Sequence, residues 1–141
     1  MSREKNIDTV HNFVNLFEQL KILEVSELFI TDGVAILPYH SGLFPYKTTG
    51  KKNIADSWMG IAKNFTEGKF VIKEIMPFED PNKIAVILSG KLKFKNKEGY
   101  YENDYIFLFY FDENGKIKEL YEYFNPLISA KAFGLMDKIC K

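Results

Sequence analysis

The sequence predicts an α+β fold in which a strongly curved antiparallel sheet wraps around N-terminal helices and encloses an apolar pocket. Apolar residues recur at helical spacing early in the chain, and they alternate with polar residues from residue 69 onward. Short turn signals separate the later segments, and short turns join only antiparallel neighbours. The 141 residues fit one domain, 1–141, without a linker or repeat.

The first part of the chain is predicted to hold three helices and one strand. Apolar residues at intervals of three and four indicate helices over 7–20 and 22–29. Thr31-Asp32-Gly33 is expected to end the second helix, 34–37 to form a short strand and 38–50 an aromatic loop. A third helix follows with one apolar stripe. The stripe consists of Ile54, Trp58, Ile61 and Phe65.

Four strands are predicted to follow as a meander, with turns at 80–82, 96–99 and 112–115. The segment 105–111 is apolar on both faces, so one face can pack on the helices. We expect a second copy of the chain to cover the other face and to give a homodimer. Asn125 followed by Pro126 predicts the start of a short C-terminal helix.

Composition argues against several classes of partner and cofactor. Lys+Arg and Asp+Glu number 19 each, so neither nucleic acid nor membrane is an expected partner. The single cysteine, Cys140, cannot form an internal disulfide, and no metal-ligand spacing, phosphate-binding glycine loop or nucleophile elbow occurs. No cofactor or metal is therefore expected. With no apolar run near ~20 residues and no signal-peptide core, the expected location is cytoplasmic.

Glu122 is the main candidate for chemistry. Alternation over 120–124 puts it on one face with Leu120 and Phe124, which indicates an apolar setting. Desolvation there would raise the pKa of the carboxyl towards neutrality, as a general acid or base requires. Alternation alone also allows the inverted assignment, in which Glu122 faces solvent or a dimer partner.

Further candidates lie in the loop, on the third helix and in the sheet. His40 could transfer protons at the pocket mouth, or it could be an ordinary hydrogen-bonded loop residue. Trp58 can pack in the core and line a cavity as well. Asn103 needs polar partners where its strand turns apolar. The side chains expected to line the pocket are Tyr39, Tyr46, Ser57, Trp58, Asn103 and Phe124.

Six stretches of the sequence resemble one known family. They are LFITDG at 28–33, EDPN at 79–82, YYEN at 100–103, DENGKI at 112–117, EYFNP at 122–126 and AFGL at 132–135. Together they resemble the phenazine biosynthesis A/B proteins, a SnoaL-like branch of the NTF2-like superfamily. The resemblance implies the NTF2-like cone, a cystatin-like α+β roll, and a cofactor-free dimer. It also implies binding of a small carboxylated cyclic amino-ketone, two copies of which condense through an imine.

By the same resemblance Glu122 acts as the acid, with Asn103 and Trp58 as its pocket neighbours. Two departures accompany it. Ser57 stands where the family carries a histidine, and Arg3 is the only arginine, so a substrate carboxylate has no forked partner. Lys47 and Lys51 are the candidates to replace that partner as point charges.

The sequence therefore predicts a cofactor-free enzyme. Acid–base catalysis would isomerise, cyclise, condense or dehydrate a small apolar or carboxylated cyclic molecule in an apolar pocket. The alternatives are a non-catalytic small-ligand-binding dimer and a protein–protein interaction module.

Overall fold

The computed structural model describes residues 2–141, which form helices packed against one sheet. The helices are α1 (Arg3–Glu18), α2 (Ile22–Ser26), α3 (Lys51–Ala62) and α4 (Pro126–Ala132), followed by a 3₁₀ turn at Met136–Lys138. The strands are β1 (Phe29–Ile36), β2 (Lys47–Thr49), β3 (Phe65–Pro77), β4 (Lys83–Phe94), β5 (Tyr100–Phe111) and β6 (Ile117–Phe124). Over residues 2–141, no helix has the length and apolar character needed to cross a membrane.

The six strands form one sheet in the order β2-β1-β6-β5-β4-β3. Strands β3 to β6 are successive antiparallel neighbours, which confirms the predicted meander. Strand β1 pairs parallel to β6, so the N-terminal and C-terminal parts of the chain lie side by side in the sheet. The register shifts twice along β3–β4 and once along β5–β6, and such bulges bend and twist a sheet. The sheet is curved and does not close into a barrel.

The core lies on the concave side of the sheet and is mostly aromatic. Phe107, Phe109 and Phe111 on β5 point inward, and each is at most 1% exposed. Phe13 of α1 lies edge-on against Phe109, with ring centroids 5.2 Å apart, and edge-on against Trp58 of α3 at 6.0 Å. Helices α1 and α3 thus pack against the sheet through aromatic side chains. This close packing fixes the side chains that lie between them.

Two predictions about the first part of the chain are wrong in detail. Helix α2 ends at Ser26, and Thr31-Asp32-Gly33 lies inside β1, where the pairing with β6 shifts between Phe29 and Val34. Gly33 allows this bulge, because a Cβ at that position would lie 3.0 Å from the Phe29 ring. The turn-like composition therefore marks an irregular strand and not a helix end.

A short strand also lies within the predicted aromatic loop. Strand β2 (Lys47–Thr49) pairs antiparallel to β1, with Thr48 opposite Ala35. Three residues are too few for an alternation pattern, so the sequence gives no periodic signal for this strand.

The predicted start of α4 is confirmed. The Asn125 side-chain Oδ1 accepts a hydrogen bond of 3.0 Å from the N–H of Leu127, and Pro126 occupies the first turn. The turn at 112–115 is confirmed as well, since Asp112 Oδ1 accepts from the N–H of Lys116 at 2.8 Å. These local signals fix where β6 ends, and so where Glu122 lies relative to α4.

Candidate functional site

A cavity of about 110 Å³ lies between α1, α3, α4 and the concave face of the sheet. Its size is on the scale of the roughly 150 Å³ cavity that holds benzene in a protein core. Its walls are mostly apolar. The lining residues are Phe17, Leu20, Ala35, Leu37, Phe44, Pro45, Thr48, Ser57, Trp58, Ile61, Ala62, Phe65, Phe70, Leu92, Tyr101, Tyr105, Glu122, Phe124, Ser129 and Phe133.

Glu122 is the one carboxyl group among these described lining residues. Strand β6 directs it inward with Leu120 and Phe124, so the inverted face assignment does not occur. Its Oε1 is fully shielded from solvent and has no hydrogen-bond partner among residues 2–141. The rest of the side chain keeps partial exposure because it faces the cavity. Burial raises the pKa of Glu122 to about 7.

Tyr105 on β5 lies beside Glu122 and also lines the cavity. Burial raises the pKa of Tyr105 well above its ordinary value, and the neighbouring Tyr101 and Glu122 add to this increase. The phenol therefore stays protonated and can donate a hydrogen bond. The sequence interpretation missed Tyr105 and Tyr101. Alternation could have found them, because both share the inward face of β5 with Phe107.

Asn103 is buried behind the cavity wall and does not belong to the lining, which corrects the expectation that it would. Its Nδ2 donates to Tyr101 Oη at 2.8 Å and to the Asn125 carbonyl at 3.1 Å. Its Oδ1 accepts from the N–H of Asn125 at 3.2 Å. Ser129 Oγ lies 2.7 Å from Tyr101 Oη. The amide thus finds its polar partners within the protein and positions a lining tyrosine.

Three other predicted pocket residues do line the cavity. Trp58 and Ser57 are neighbours on α3, with Trp58 only 8% exposed and Ser57 half-buried. The Trp58 ring lies 5.5 Å from the Phe17 ring, centroid to centroid. Phe124 closes the wall next to Glu122 and packs on Phe44 of the loop at 5.9 Å. At this position α3 therefore contributes a serine to the cavity wall, where the family resemblance implies a histidine.

The predicted loop residues lie outside the lining. Tyr39 is 55% exposed and contacts Tyr123 on the outer face of β6, with ring centroids 5.4 Å apart. Tyr46 is 53% exposed and packs on His40. His40 Nδ1 accepts a hydrogen bond of 3.2 Å from the N–H of Gly42, so it has the ordinary loop contact that the sequence analysis kept as the alternative.

Packing explains why only part of this loop lines the cavity. Its first half reaches the outer face of the sheet through Tyr39, while Phe44 and Pro45 turn inward and line the cavity. All of these residues are apolar or aromatic, so composition alone could not assign them to one side. From this loop Phe44 and Pro45 therefore line the cavity, whereas His40 does not.

Neither lysine that could replace the missing arginine lines the cavity. Lys47 is exposed on β2, and Lys51 Nζ lies 3.2 Å from Glu27 Oε2. No Lys, Arg or His side chain is present among the described lining residues. Over residues 2–141, no three His, Cys, Asp or Glu side chains are grouped as a metal site would require. The site consists of one unpartnered carboxyl, several hydroxyls and aromatic walls.

Comparison with known proteins relates this architecture to one family. Residues 1–140 match the family described as phenazine biosynthesis protein A/B. Phenazine biosynthesis protein PhzB 2 of Pseudomonas aeruginosa (strain UCBPP-PA14) is 31% identical over 136 residues, which are 94% of this chain and 83% of that protein. The crystal structure of a phenazine biosynthesis-related protein from Pseudomonas aeruginosa has a TM-score of 0.80 at 30% identity, over 94% of this chain and 83% of that one.

A more distant structure shows how widely the fold is shared. BvnE pinacolase from Penicillium brevicompactum has a TM-score of 0.80 at 15% identity, over 97% of each chain, and at that identity the likeness shows the fold alone. The architecture is the NTF2-like cone that the sequence predicts. Both the profile match along nearly the whole chain and the identity to its Pseudomonas relative lead to one assignment: the chain belongs to the phenazine biosynthesis protein A/B family.

Proposed function

We propose that this protein is a cofactor-free enzyme that isomerises, cyclises, condenses or dehydrates a small cyclic molecule by proton transfer from Glu122. One observation carries the proposal. The Glu122 side chain lines an apolar cavity, one of its carboxyl oxygens has no hydrogen-bond partner among residues 2–141, and burial raises its pKa to about 7. A general acid is most effective when its pKa lies near the working pH.

The proposed chemistry requires only protein groups. At and below neutral pH the Glu122 carboxyl holds a proton that it can give to a carbonyl, imine or leaving hydroxyl of the substrate. The Tyr105 hydroxyl lies beside it and stays protonated, so it can donate a hydrogen bond to an oxygen that gains negative charge. The aromatic walls exclude water and hold a ring against both groups.

Family membership supports this proposal at the level of a class. The chain belongs to a family described by its part in phenazine biosynthesis, and its fold recurs in a pinacolase.

Turnover with a Glu122→Gln variant tests the role of the carboxyl. Purified protein would be incubated with a panel of cyclic ketones, hydroxy-ketones, amino-ketones and phenols, and products would be followed by chromatography with mass spectrometry. We expect Glu122→Gln to lower the rate by about 10²–10⁴, since the amide keeps the shape but cannot supply the proton.

The matched control is Glu119→Gln, which removes a carboxylate from the same strand. Glu119 pairs with Tyr110 on β5 and lies outside the cavity lining. This variant should keep the full rate. A Glu122→Gln protein that turns over substrate as fast as the parent would contradict the proposed role.

A second candidate function is ligand binding without turnover. The observation that favours it is the lack of a partner base. The described lining offers no histidine, and Ser57 occupies the helix position where the family resemblance implies one. A carrier would release its ligand chemically unchanged after prolonged incubation. Any converted ligand that is formed by the parent and not by Glu122→Gln would contradict the carrier.

A further inference from the structure

We propose that the cavity selects uncharged, single-ring molecules that carry carbonyl or hydroxyl oxygens, and that it rejects carboxylates. The inference rests on the proposed function and deepens it, because it names the substrate class for the same site. It also departs from the carboxylated substrate that the family resemblance implies.

The first argument is the missing counter-charge. Among the described lining residues there is no Lys, Arg or His. Lys51 is paired with Glu27 at 3.2 Å, and Lys47 is exposed on the edge strand β2. A carboxylate that enters the cavity would lose its water and gain no cation. A buried charge without a partner is strongly disfavoured.

The second argument is the charge that the site already holds. Glu122 is itself an acid, so an ionised ligand carboxylate would leave a net negative charge in the cavity whether Glu122 is protonated or not. With Glu122 ionised, the two carboxylates would repel each other across apolar walls, where screening by water is weak. Both protonation states therefore disfavour the carboxylate ligand.

The third argument is what the lining offers instead. Tyr105, Thr48 and Ser57, which carry hydroxyl groups, line the cavity together with Glu122. The hydroxyl groups can donate to a ligand carbonyl oxygen, which only accepts, and they can donate to or accept from a ligand hydroxyl. The volume of about 110 Å³ restricts the ligand to about one ring.

A matched pair of probes tests the selectivity. 3-Oxocyclohexane-1-carboxamide and 3-oxocyclohexane-1-carboxylate have nearly the same shape and differ in charge, and each would be titrated into the full chain by calorimetry at pH 8. We expect the carboxamide to bind at least about tenfold more tightly, with a smaller difference at pH 5, where part of the acid probe is protonated. Equal binding, or tighter binding of the carboxylate at pH 8, would overturn the proposal.

A gain-of-charge variant makes the test specific to the cavity. Thr48 lines the cavity from β2 and is half-buried, whereas its neighbour Thr49 is exposed. Thr48→Arg places a guanidinium at the cavity edge and should raise the affinity for the carboxylate by about tenfold or more. Thr49→Arg adds the same charge outside the cavity and should leave the preference of the parent unchanged. A carboxylate affinity that rises equally in both variants would show a general surface effect and contradict the proposal.

Three further outcomes separate this inference from the proposed function. If the carboxamide binds preferentially and no cyclic substrate is turned over, then the selectivity stands and the enzyme role fails. If neither probe binds to the parent or to Thr48→Arg, the selectivity fails, and the turnover assay alone decides the enzyme role. Tighter binding of cyclohexylamine than of cyclohexanone would overturn the selectivity alone, because it would show a cation site.

Discussion

Glu122 lies beside Phe124 on the concave face of the sheet, and its Oε1 receives no hydrogen bond from any residue between 2 and 141. A carboxylate in such a place is unfavourable, so the folded protein favours the protonated form and the pKa rises to about 7. A local arrangement that costs stability and has no structural partner is typical of functional sites.

The raised pKa predicts how stability depends on pH. In the unfolded chain Glu122 loses its proton near pH 4.5, whereas the folded chain keeps it up to about pH 7. Between these values the folded state binds more protons, so this group's contribution to the free energy of unfolding is full below pH 4.5 and is lost as the pH rises to about 7. The loss is about 3 kcal/mol, from ~1.4 kcal/mol per pH unit.

Urea unfolding of the parent and of Glu122→Gln at pH 5 and pH 8 measures this contribution. The variant cannot titrate at this position, so it should gain stability relative to the parent by about 2.5 kcal/mol between the two pH values, since part of the loss has already occurred at pH 5. Glu119→Gln, on the same strand, should show no comparable change. Parallel pH profiles for the parent and Glu122→Gln would contradict the buried, protonated carboxyl.

At the scale of elements, β5 and α4 are joined through one amide side chain. Asn103 connects the Tyr101 hydroxyl to both backbone groups of Asn125, the residue that caps α4. Replacing it by alanine removes the acceptor of the Asn125 N–H and the buried hydrogen bond to Tyr101 Oη, a loss that costs about 1–3 kcal/mol. Asn103→Ala should therefore lower the midpoint of thermal unfolding by several degrees.

The same variant should also weaken ligand binding, because Tyr101 and Ser129 line the cavity and lose a shared donor. Glu102→Ala, at the neighbouring exposed position of β5, is the control and should alter neither property. Normal stability in Asn103→Ala would mean that these hydrogen bonds are replaced by water.

The elements that the sequence predicts correctly are those with a periodic pattern sustained over many residues or with a strong local signal. The alternation over β4 and the turns at 96–99 and 112–115 define the meander, and Asn125 with Pro126 defines the start of α4. The sequence did not predict strand β2 or the bulge at Thr31-Asp32-Gly33. Both depend on pairing with residues far away in sequence, which no short window contains.

The same limit applies to the site. The neighbours of Glu122 in β6 correctly indicated its inward face, because alternation is a property of the strand itself. Tyr39 and Tyr46 were expected in the pocket but lie outside its lining, since the turn of the loop, and not its composition, decides which aromatic side chains point inward. Strand β5 is apolar on both faces, so its pattern does not single out Tyr105. Alternation along the strand nevertheless places this residue on the inward face.

For the whole molecule, the outer face of the sheet carries a group of apolar and aromatic side chains. Ile106 is 45% exposed on β5, and Leu108 on the same strand is half-buried. Tyr110 and Tyr121 pack against each other on this face, with ring centroids 5.6 Å apart. Apolar side chains grouped on a sheet face are typical of an interface. A second copy of the chain offers the same apolar pattern, so we expect a two-fold dimer across this face.

Light scattering coupled to gel filtration at micromolar concentration tests this expectation, since a chain of 16.4 kDa should then elute with twice that mass. Leu108→Lys places a charge at the centre of the proposed interface and should shift the protein towards the monomer mass. Lys131→Glu on α4 changes a charge at an exposed position of the C-terminal helix and should leave the mass unchanged. A parent protein with the monomer mass at all these concentrations would refute the dimer.

The cavity lies on the opposite side of the sheet, so Leu108→Lys should keep the ligand preference of the parent even as a monomer.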